Sequence, residues 1–111
     1  MYVSVNVTMN RNLADILISN LFTNAIKYNP DGGKILIELN EHYLIISNTG
    51  EPLNIEPQKI FERFLKDKQS ESLGLGLAIV KKICDFYGFT IEYSYLSREK
   101  MHSFMIQLNH A

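Results

Sequence analysis

The sequence predicts an α+β fold, a two-layer α/β sandwich in which about three helices pack on one face of a mixed sheet of about five strands. Val3, Val5 and Val7 alternate with polar residues, which is typical of a half-buried strand. Residues 10–27 and 75–87 space their apolar side chains as amphipathic helices do. Paired short apolar runs predict one hairpin in the middle of the chain and one at its end. The order strand, helix, hairpin, helix, helix, hairpin therefore favours one sheet covered by helices.

Turn residues set the boundaries of these elements. The first helix ends at the run Asn-Pro-Asp-Gly-Gly, residues 29–33. Strands over residues 34–39 and 43–47 form a hairpin, and a turn follows from Asn48 to Pro52. The later elements are a short helix over residues 55–64, a polar segment over 66–72, a helix over 75–87 that Gly74 and Gly76 open and Gly88 closes, and strands over 90–95 and 103–108.

Composition excludes several classes of protein. The chain has 111 residues, 46% of them hydrophobic, and a formal net charge of -1, so we interpret residues 1–111 as a single domain excised from a larger protein. The near-neutral charge argues against a nucleic-acid partner, and no apolar run reaches the ~18 residues of a membrane span. The lone Cys84 lies in an apolar run, which predicts a buried, inert thiol and a reducing, cytoplasmic compartment. His42, His102 and His110 lack metal-site spacing, and we expect them on the surface.

Asn20 and Asn24 stand one turn apart in the first helix. At about 100° per residue both fall inside its apolar arc, whereas Asp15 falls on the solvent side. A buried amide without a partner costs roughly 1–3 kcal/mol, so each carboxamide needs a hydrogen bond. A neighbouring loop can supply one, but two amides in register, followed by Lys27 and Tyr28, favour a ligand. Amide oxygens bind hard cations, an ammonium group neutralises phosphate, and a tyrosine ring packs on a base.

Two glycine-containing segments are further candidates for ligand contacts. Gly74 and Gly76 open the predicted second long helix, where unpaired N–H groups favour an anion, although a loop that needs positive φ is the alternative. Ile79 replaces the third glycine of a dinucleotide fingerprint, and no P-loop motif occurs. Asn48 and Gly50 follow an apolar strand, where a polar side chain either reads the edge of a ligand or caps a turn.

In this order, the segments resemble the ATP-binding catalytic domain of sensor histidine kinases. That domain belongs to the group of gyrase, Hsp90, histidine-kinase and MutL ATPases, which share the Bergerat-type fold. The resemblance extends from about Asn10 to Leu108. Residues 20–30 resemble the N box, residues 48–50 the start of the first glycine box, residues 60–64 the F box and residues 74–81 the second glycine box.

The resemblance implies a site for Mg-ATP. Asn24, with Asn20 nearby, would hold Mg²⁺ on the phosphates. Lys27 would meet phosphate oxygens, and Tyr28 would lie beside the adenine or the ribose. The remaining implied contacts are Asn48 beside Gly50 at the adenine, Phe61 and Phe64 at the hinge of an ATP lid over residues 66–73, and Gly74, Leu75, Gly76 and Leu77 closing over the phosphates.

The chain departs from the family pattern at four positions. Asn48 stands where the family usually has an aspartate, so its amide oxygen can still accept a hydrogen bond from adenine, without charge assistance. Pro52 replaces the second glycine of the first glycine box. Ser72 and Leu73 stand where a glycine and a small hydroxyl residue are usual. These changes bear on the rim of the site and on the phosphate contacts of the lid.

The resemblance also implies the reaction. The domain would bind ATP or ADP with Mg²⁺ and donate the γ-phosphoryl group to a histidine on a separate dimerisation domain of the parent kinase, which then serves a response regulator. The isolated domain is not expected to phosphorylate itself or to contact nucleic acid or a membrane, although the parent can be membrane-anchored. Two alternatives stay open: a nucleotide-binding relative that is inactive or directed to serine, as in anti-sigma-factor kinases, and an interaction module without a pocket.

Overall fold

The computed structural model describes residues 5–54, 56–62 and 71–108. Helix α1 spans Arg11–Lys27 and helix α2 spans Glu71–Tyr87, with a 3-10 helix at Pro57–Phe61 between them. The strands are β1 at Ile35–Leu39, β2 at Tyr43–Thr49, β3 at Thr90–Leu96 and β4 at Met101–Gln107. The hydrophobic core lies between the two helices and one face of the sheet, which confirms the α+β sandwich.

The described strands form one antiparallel sheet in the order β1-β2-β4-β3. Within the described part of the chain, this corrects the predicted mixed sheet of about five strands to four antiparallel ones. Residues 5–8 of the predicted first strand do not form a strand, and residues 3 and 4 lie outside the described residues. Val5 and Val7 instead line an apolar groove beside Leu17 of α1 and Ile106 of β4, where contact with the core replaces strand pairing.

Helix α1 follows the prediction for residues 10–27 closely. Asn10 is its N-cap, and the Asn10 Oδ1 atom accepts hydrogen bonds from the backbone N–H groups of Asn12 (2.9 Å) and Leu13 (3.2 Å). These bonds satisfy two of the backbone donors that a helix start leaves unpaired. At the other end, the backbone N–H of Tyr28 closes the last turn.

The buried stripe of α1 is rotated about the helix axis from the predicted apolar arc, by roughly the 100° that separates neighbouring residues. Leu17 and Leu21 are buried, whereas Ile16, an apolar residue one turn before Asn20, is 41% exposed. Asn20 and Asn24 therefore lie at the border of the stripe and are half-buried. This border position suits a side chain that must reach a ligand rather than fill the core.

Helix α2 begins at Glu71, four residues earlier than predicted. Gly74 and Gly76 consequently lie inside the helix and do not open it, which corrects the predicted helix start. Glycine weakens a helix interior by only about 1 kcal/mol, which the surrounding structure can offset. Gly76 has a packing role instead, because a Cβ atom there would lie 3.1 Å from Asn20 Oδ1.

The predicted short helix between the hairpins is a single 3-10 helix at Pro57–Phe61, with proline in its first turn. Ile60 is fully buried, and the ring of Phe61 contacts Phe104 edge-on at a centroid distance of 6.2 Å. Phe64 lies outside the described residues. The 3-10 helix therefore ties the segment after β2 to the sheet.

Cys84 of α2 is fully buried in the core, as predicted. Burial, with a smaller effect from the Asp85 carboxylate, raises the pKa of its thiol to about 12. A thiol with such a pKa is protonated at neutral pH and is a poor nucleophile.

Candidate functional site

A cavity of about 170 Å³ opens between α1, the end of β2 and the inner face of β3 and β4. Pockets that hold drug-sized ligands measure roughly 300–1,000 Å³, so this cavity has room for a flat ring system and not for a whole nucleotide. Most of its exposed lining is apolar. The lining residues are Asn24, Tyr28, Asn48, Gly50, Glu51, Leu53, Ile60, Tyr93, His102 and Phe104.

Asn24 of α1 supplies an unpaired polar group to this wall. Its Nδ2 atom is buried and finds no hydrogen-bond partner among the described residues. A buried amide left in this state costs roughly 1–3 kcal/mol, which a bound ligand would recover. Rotation of the carboxamide exchanges its nitrogen and oxygen, so the same position can present an oxygen to a cation. Asn24 therefore fits the proposed magnesium ligand.

Asn20 does not line the cavity. Its Nδ2 atom donates a 3.0 Å hydrogen bond to the backbone carbonyl of Ile16, one turn earlier in α1. Its Oδ1 atom faces Gly76 of α2. Asn20 is thus placed between the two helices, and only Asn24 of the pair reaches the cavity wall.

Asn48 lies within β2, not in the turn that was predicted to begin there, and it is only 4% exposed. Its Nδ2 atom donates a 3.0 Å hydrogen bond to the backbone carbonyl of Thr49. This bond fixes the orientation of the carboxamide through one of its two N–H donors, and Oδ1 accepts no hydrogen bond among the described residues. Asn48 presents the cavity with a hydrogen-bond acceptor.

Gly50 follows β2 and is held from several sides. The Tyr95 hydroxyl donates a 2.7 Å hydrogen bond to the Gly50 carbonyl, and the Gly50 N–H donates to the carbonyl of Lys100 at 3.0 Å. A Cβ atom at Gly50 would lie 2.7 Å from Cδ2 and 2.8 Å from Nε2 of His102. Only glycine lets the chain pass this close to the ring.

His102 is a cavity residue, which corrects the prediction that it lies on the surface. It is 8% exposed, and its Nδ1 atom is 2.6 Å from the Tyr93 hydroxyl. Burial lowers the pKa of the His102 imidazole, and a hydrogen bond with the backbone of Glu51 offsets part of that shift. Burial also raises the pKa of Tyr93 to about 12. By contrast, His42 is exposed as predicted, and His110 lies outside the described residues.

Comparison with known proteins decides the family. Residues 9–110 match the family of histidine kinase-, DNA gyrase B- and HSP90-like ATPases. The chain belongs to this ATPase family. The heme sensor protein HssS of Staphylococcus aureus is 40% identical to it over a 111-residue alignment, which covers 95% of the chain and 24% of HssS. The chain therefore spans about a quarter of this curated relative.

Solved structures place this ATPase domain among the catalytic domains of sensor histidine kinases. The catalytic domain of histidine kinase ThkA is 31% identical, with a TM-score of 0.69 over 89% of this chain and 67% of that one. The Acinetobacter baumannii histidine kinase AdeS is 28% identical, with a TM-score of 0.63 over 96% of this chain and 50% of AdeS. The predicted family and fold class are thus confirmed, and the chain is an ATP-binding catalytic domain of this type.

In this ATPase domain, the predicted site residues Lys27 and Leu77 are not part of the cavity wall. Lys27 is exposed, and its Nζ atom lies 5.4 Å from the ring centroid of Tyr28, which does line the cavity. Leu77 is fully buried in the core, so its side chain has no surface for a nucleotide. Gly74 and Leu75 contribute backbone within α2.

Sequence reasoning missed His102, Tyr93 and Phe104 as cavity residues of the ATPase domain. They come from the last two strands, and the pairing of β2 with β4 places His102 directly opposite Asn48. That register joins distant parts of the chain and leaves no local signal.

No group of three or more His, Cys, Asp or Glu side chains in the described ranges could hold a metal ion. In the same ranges, no helix combines the length and the apolar character needed to cross a membrane.

Proposed function

We propose that this domain binds Mg-ATP and, within its parent protein, presents the γ-phosphoryl group to a histidine on a separate dimerisation domain, with a response regulator acting next. One observation carries the proposal. The unpaired Nδ2 group of Asn24 and the acceptor oxygen of Asn48 belong to the wall of one small cavity, in a domain whose family is ATP-binding. Two polar groups in a mostly apolar pocket can orient a base and a metal at once.

The adenine would occupy the cavity. Asn48 Oδ1 would accept a hydrogen bond from the exocyclic amino group of the base. Tyr28, Ile60 and Phe104 offer apolar surface for its flat faces. Because the cavity holds about 170 Å³, the ribose and phosphates would extend beyond it, towards the solvent-facing end of α1.

At the phosphate end, Asn24 would hold Mg²⁺, with Asn20 one turn away in α1. Bound Mg²⁺ supplies charge neutralisation on the transferred phosphoryl group. Lys27 is exposed at the end of the same helix, so its ammonium group can meet phosphate oxygens outside the cavity. Phe61, Phe64, Gly74, Leu75 and Gly76 remain proposed contacts of the lid and the phosphate edge, and Leu77 would contribute its backbone alone.

The described residues supply positioning and not a nucleophile. Burial raises the pKa of the Cys84 thiol, and the imidazole of His102 is hydrogen-bonded to Tyr93. Catalysis would therefore consist of holding the phosphoryl group in line with an incoming imidazole nitrogen from another domain. We accordingly expect the isolated domain to bind nucleotide without phosphorylating itself, and we place it in the cytoplasm.

Calorimetric titration with ADP and Mg²⁺ tests nucleotide binding. Heat of binding with a Kd in the millimolar range or below supports the proposal. If millimolar nucleotide produces neither heat nor thermal stabilisation, the proposal is contradicted and the interaction module is favoured. The cavity beside Asn24 argues for binding. Adding a histidine-containing dimerisation domain with labelled ATP then separates the two kinase activities. Phosphohistidine is hydrolysed by acid, whereas phosphoserine is stable to acid.

A further inference from the structure

His102 joins three pieces of the cavity wall. It belongs to β4, its Nδ1 atom meets the hydroxyl of Tyr93 in β3 at 2.6 Å, and its Nε2 edge lies against the backbone of Gly50 and Glu51 after β2. All four residues line the cavity. No residue of the sequence motifs makes this connection, and histidine was not expected there.

The seat of the ring on Gly50 is tight and specific. A single added carbon on Gly50 would collide with two ring atoms of His102, at 2.7 and 2.8 Å. Tyr95 adds a ring contact with His102 at 5.1 Å and bonds the Gly50 carbonyl. The backbone of Gly50 therefore packs against the His102 ring and is also held by its hydrogen bonds with Tyr95 and Lys100.

The hydrogen bonds assign a neutral imidazole. Burial lowers the pKa of the His102 imidazole and so favours the neutral ring, and the edge that carries Nε2 lies against the backbone of Gly50 and Glu51. With the ring proton on Nε2, Nδ1 is an acceptor and the Tyr93 O–H donates to it. Nε2 can then donate to the Glu51 backbone. The titratable groups that face the ring are Tyr93 and Tyr95 from β3 and Glu51 from the segment after β2.

We propose that His102 is a positioning residue of the base subsite, which fixes the Gly50–Glu51 wall beside Asn48 through its seat on Gly50 and its bond with Tyr93. The proposal rests on the proposed function, since it concerns how the same cavity holds its base. Protonation of the ring would turn Nδ1 from an acceptor into a donor and oblige the Tyr93 hydroxyl to reorient. Base binding should therefore weaken as the imidazole becomes charged.

Three variants test this role. His102→Gln removes the ring and keeps an N–H group near the Nε2 position, Tyr93→Phe removes only the hydroxyl, and His42→Gln is the matched control at an exposed histidine. We expect His102→Gln to raise the Kd for ADP with Mg²⁺ roughly threefold to tenfold at pH 7.5, since it removes one or two hydrogen bonds. Tyr93→Phe should have a smaller effect of the same sign, and His42→Gln should have none.

The pH profile separates positioning from mere stabilisation. The ratio of the two Kd values, His102→Gln over wild type, cancels the titration of ADP itself. It should fall towards one as the pH drops through the lowered pKa of His102, because Nδ1 of the charged ring no longer accepts the hydrogen bond of the Tyr93 hydroxyl. An elevated ratio that does not change with pH would overturn the proposal, as would an unchanged Kd in folded His102→Gln protein. If that variant does not fold, Tyr93→Phe carries the same two tests.

Failure of the proposed function looks different. Wild-type protein that binds no ADP at any pH would overturn both proposals. Wild-type binding with normal affinity in His102→Gln and Tyr93→Phe would overturn only the role of His102.

Discussion

At the scale of single residues, one hydrogen bond of Asn48 determines which atom the side chain presents to a bound base. One N–H of its carboxamide donates to the Thr49 carbonyl, so turning the carboxamide over to present its nitrogen in place of Oδ1 would cost that bond. The side chain thus favours the amino group of adenine over the carbonyl group that guanine carries at the same place. The usual carboxylate of the family would accept more strongly, because charge-assisted bonds are about twice as strong as neutral ones.

Asn48→Asp should therefore sharpen the preference for ADP over GDP and lower the stability of the free domain. The new carboxylate would be buried near the Thr49 carbonyl oxygen, which it cannot bond. Competition binding of ADP against GDP and urea unfolding of both proteins measure the two effects. An unchanged ADP-to-GDP ratio would mean that Asn48 does not read the base.

Asn24→Ala separates ligand binding from folding. The Asn24 Nδ2 atom has no described partner, so its removal should leave the free energy of unfolding unchanged or raise it by up to ~1 kcal/mol. The same change should abolish the part of ATP affinity that depends on Mg²⁺. Titrations with and without Mg²⁺ check this, and Asn12→Ala on the exposed side of the same helix is the control. A lower melting temperature with normal metal dependence would make Asn24 a core residue.

His102 also links stability to pH. Its lowered pKa means that the folded protein binds a proton less readily than the unfolded chain, whose imidazole titrates near 6.5. This contribution to stability is complete above 6.5 and is lost as pH falls below it towards the folded pKa. Urea unfolding of wild type should show a loss of stability as the pH falls below about 6.5 that His102→Gln lacks and His42→Gln keeps. Equal losses in all three proteins would contradict the assignment.

Some of these residues could be predicted and others could not. Asn24 and Asn48 stand out because polar side chains interrupt an apolar helix face and follow an apolar strand, which are local patterns. His102 carries no such pattern. Its burial depends on the hydroxyl of Tyr93 and on a glycine across the sheet, contacts that only the fold creates.

At the scale of elements, the spacing of apolar residues predicted α1 and both hairpins. It did not predict the start of α2 or the 3-10 helix, where contacts with other parts of the chain determine the local structure. The glycines of α2 look like a helix start, yet the helix continues through them because Gly76 lets it approach α1 at Asn20. The short helix became a 3-10 turn held by the burial of Ile60 and the contact of Phe61 with Phe104.

The contact between the helices gives a testable coupling. Ala at position 76 gains roughly 0.8–1.0 kcal/mol of helix propensity, but its methyl group would press on Asn20 Oδ1 at 3.1 Å. Gly76→Ala should therefore stabilise the protein more in an Asn20→Ala background than in wild type. Urea unfolding of the four proteins measures this difference. Equal effects in both backgrounds would mean that Asn20 does not explain the glycine.

At the scale of the whole molecule, the site forms because the sheet order is not the chain order. Strand β4 inserts between β2 and β3, so a helix near the amino end and strands near the carboxyl end share one cavity. Hydrophobic patterning predicts that a sheet will form, but it does not encode which strands become neighbours. The motifs therefore located one side of the site, and the fold supplied the other.

A ¹H–¹⁵N spectrum of the side-chain amides, recorded during titration with Mg-ADP, tests most directly whether Asn24 and Asn48 hold a nucleotide in this cavity. We expect the carboxamide signals of Asn24 and Asn48 to shift in a saturable way with the same Kd, while the signal of Asn12 stays in place. Saturable binding that leaves the Asn24 and Asn48 signals unmoved would contradict it.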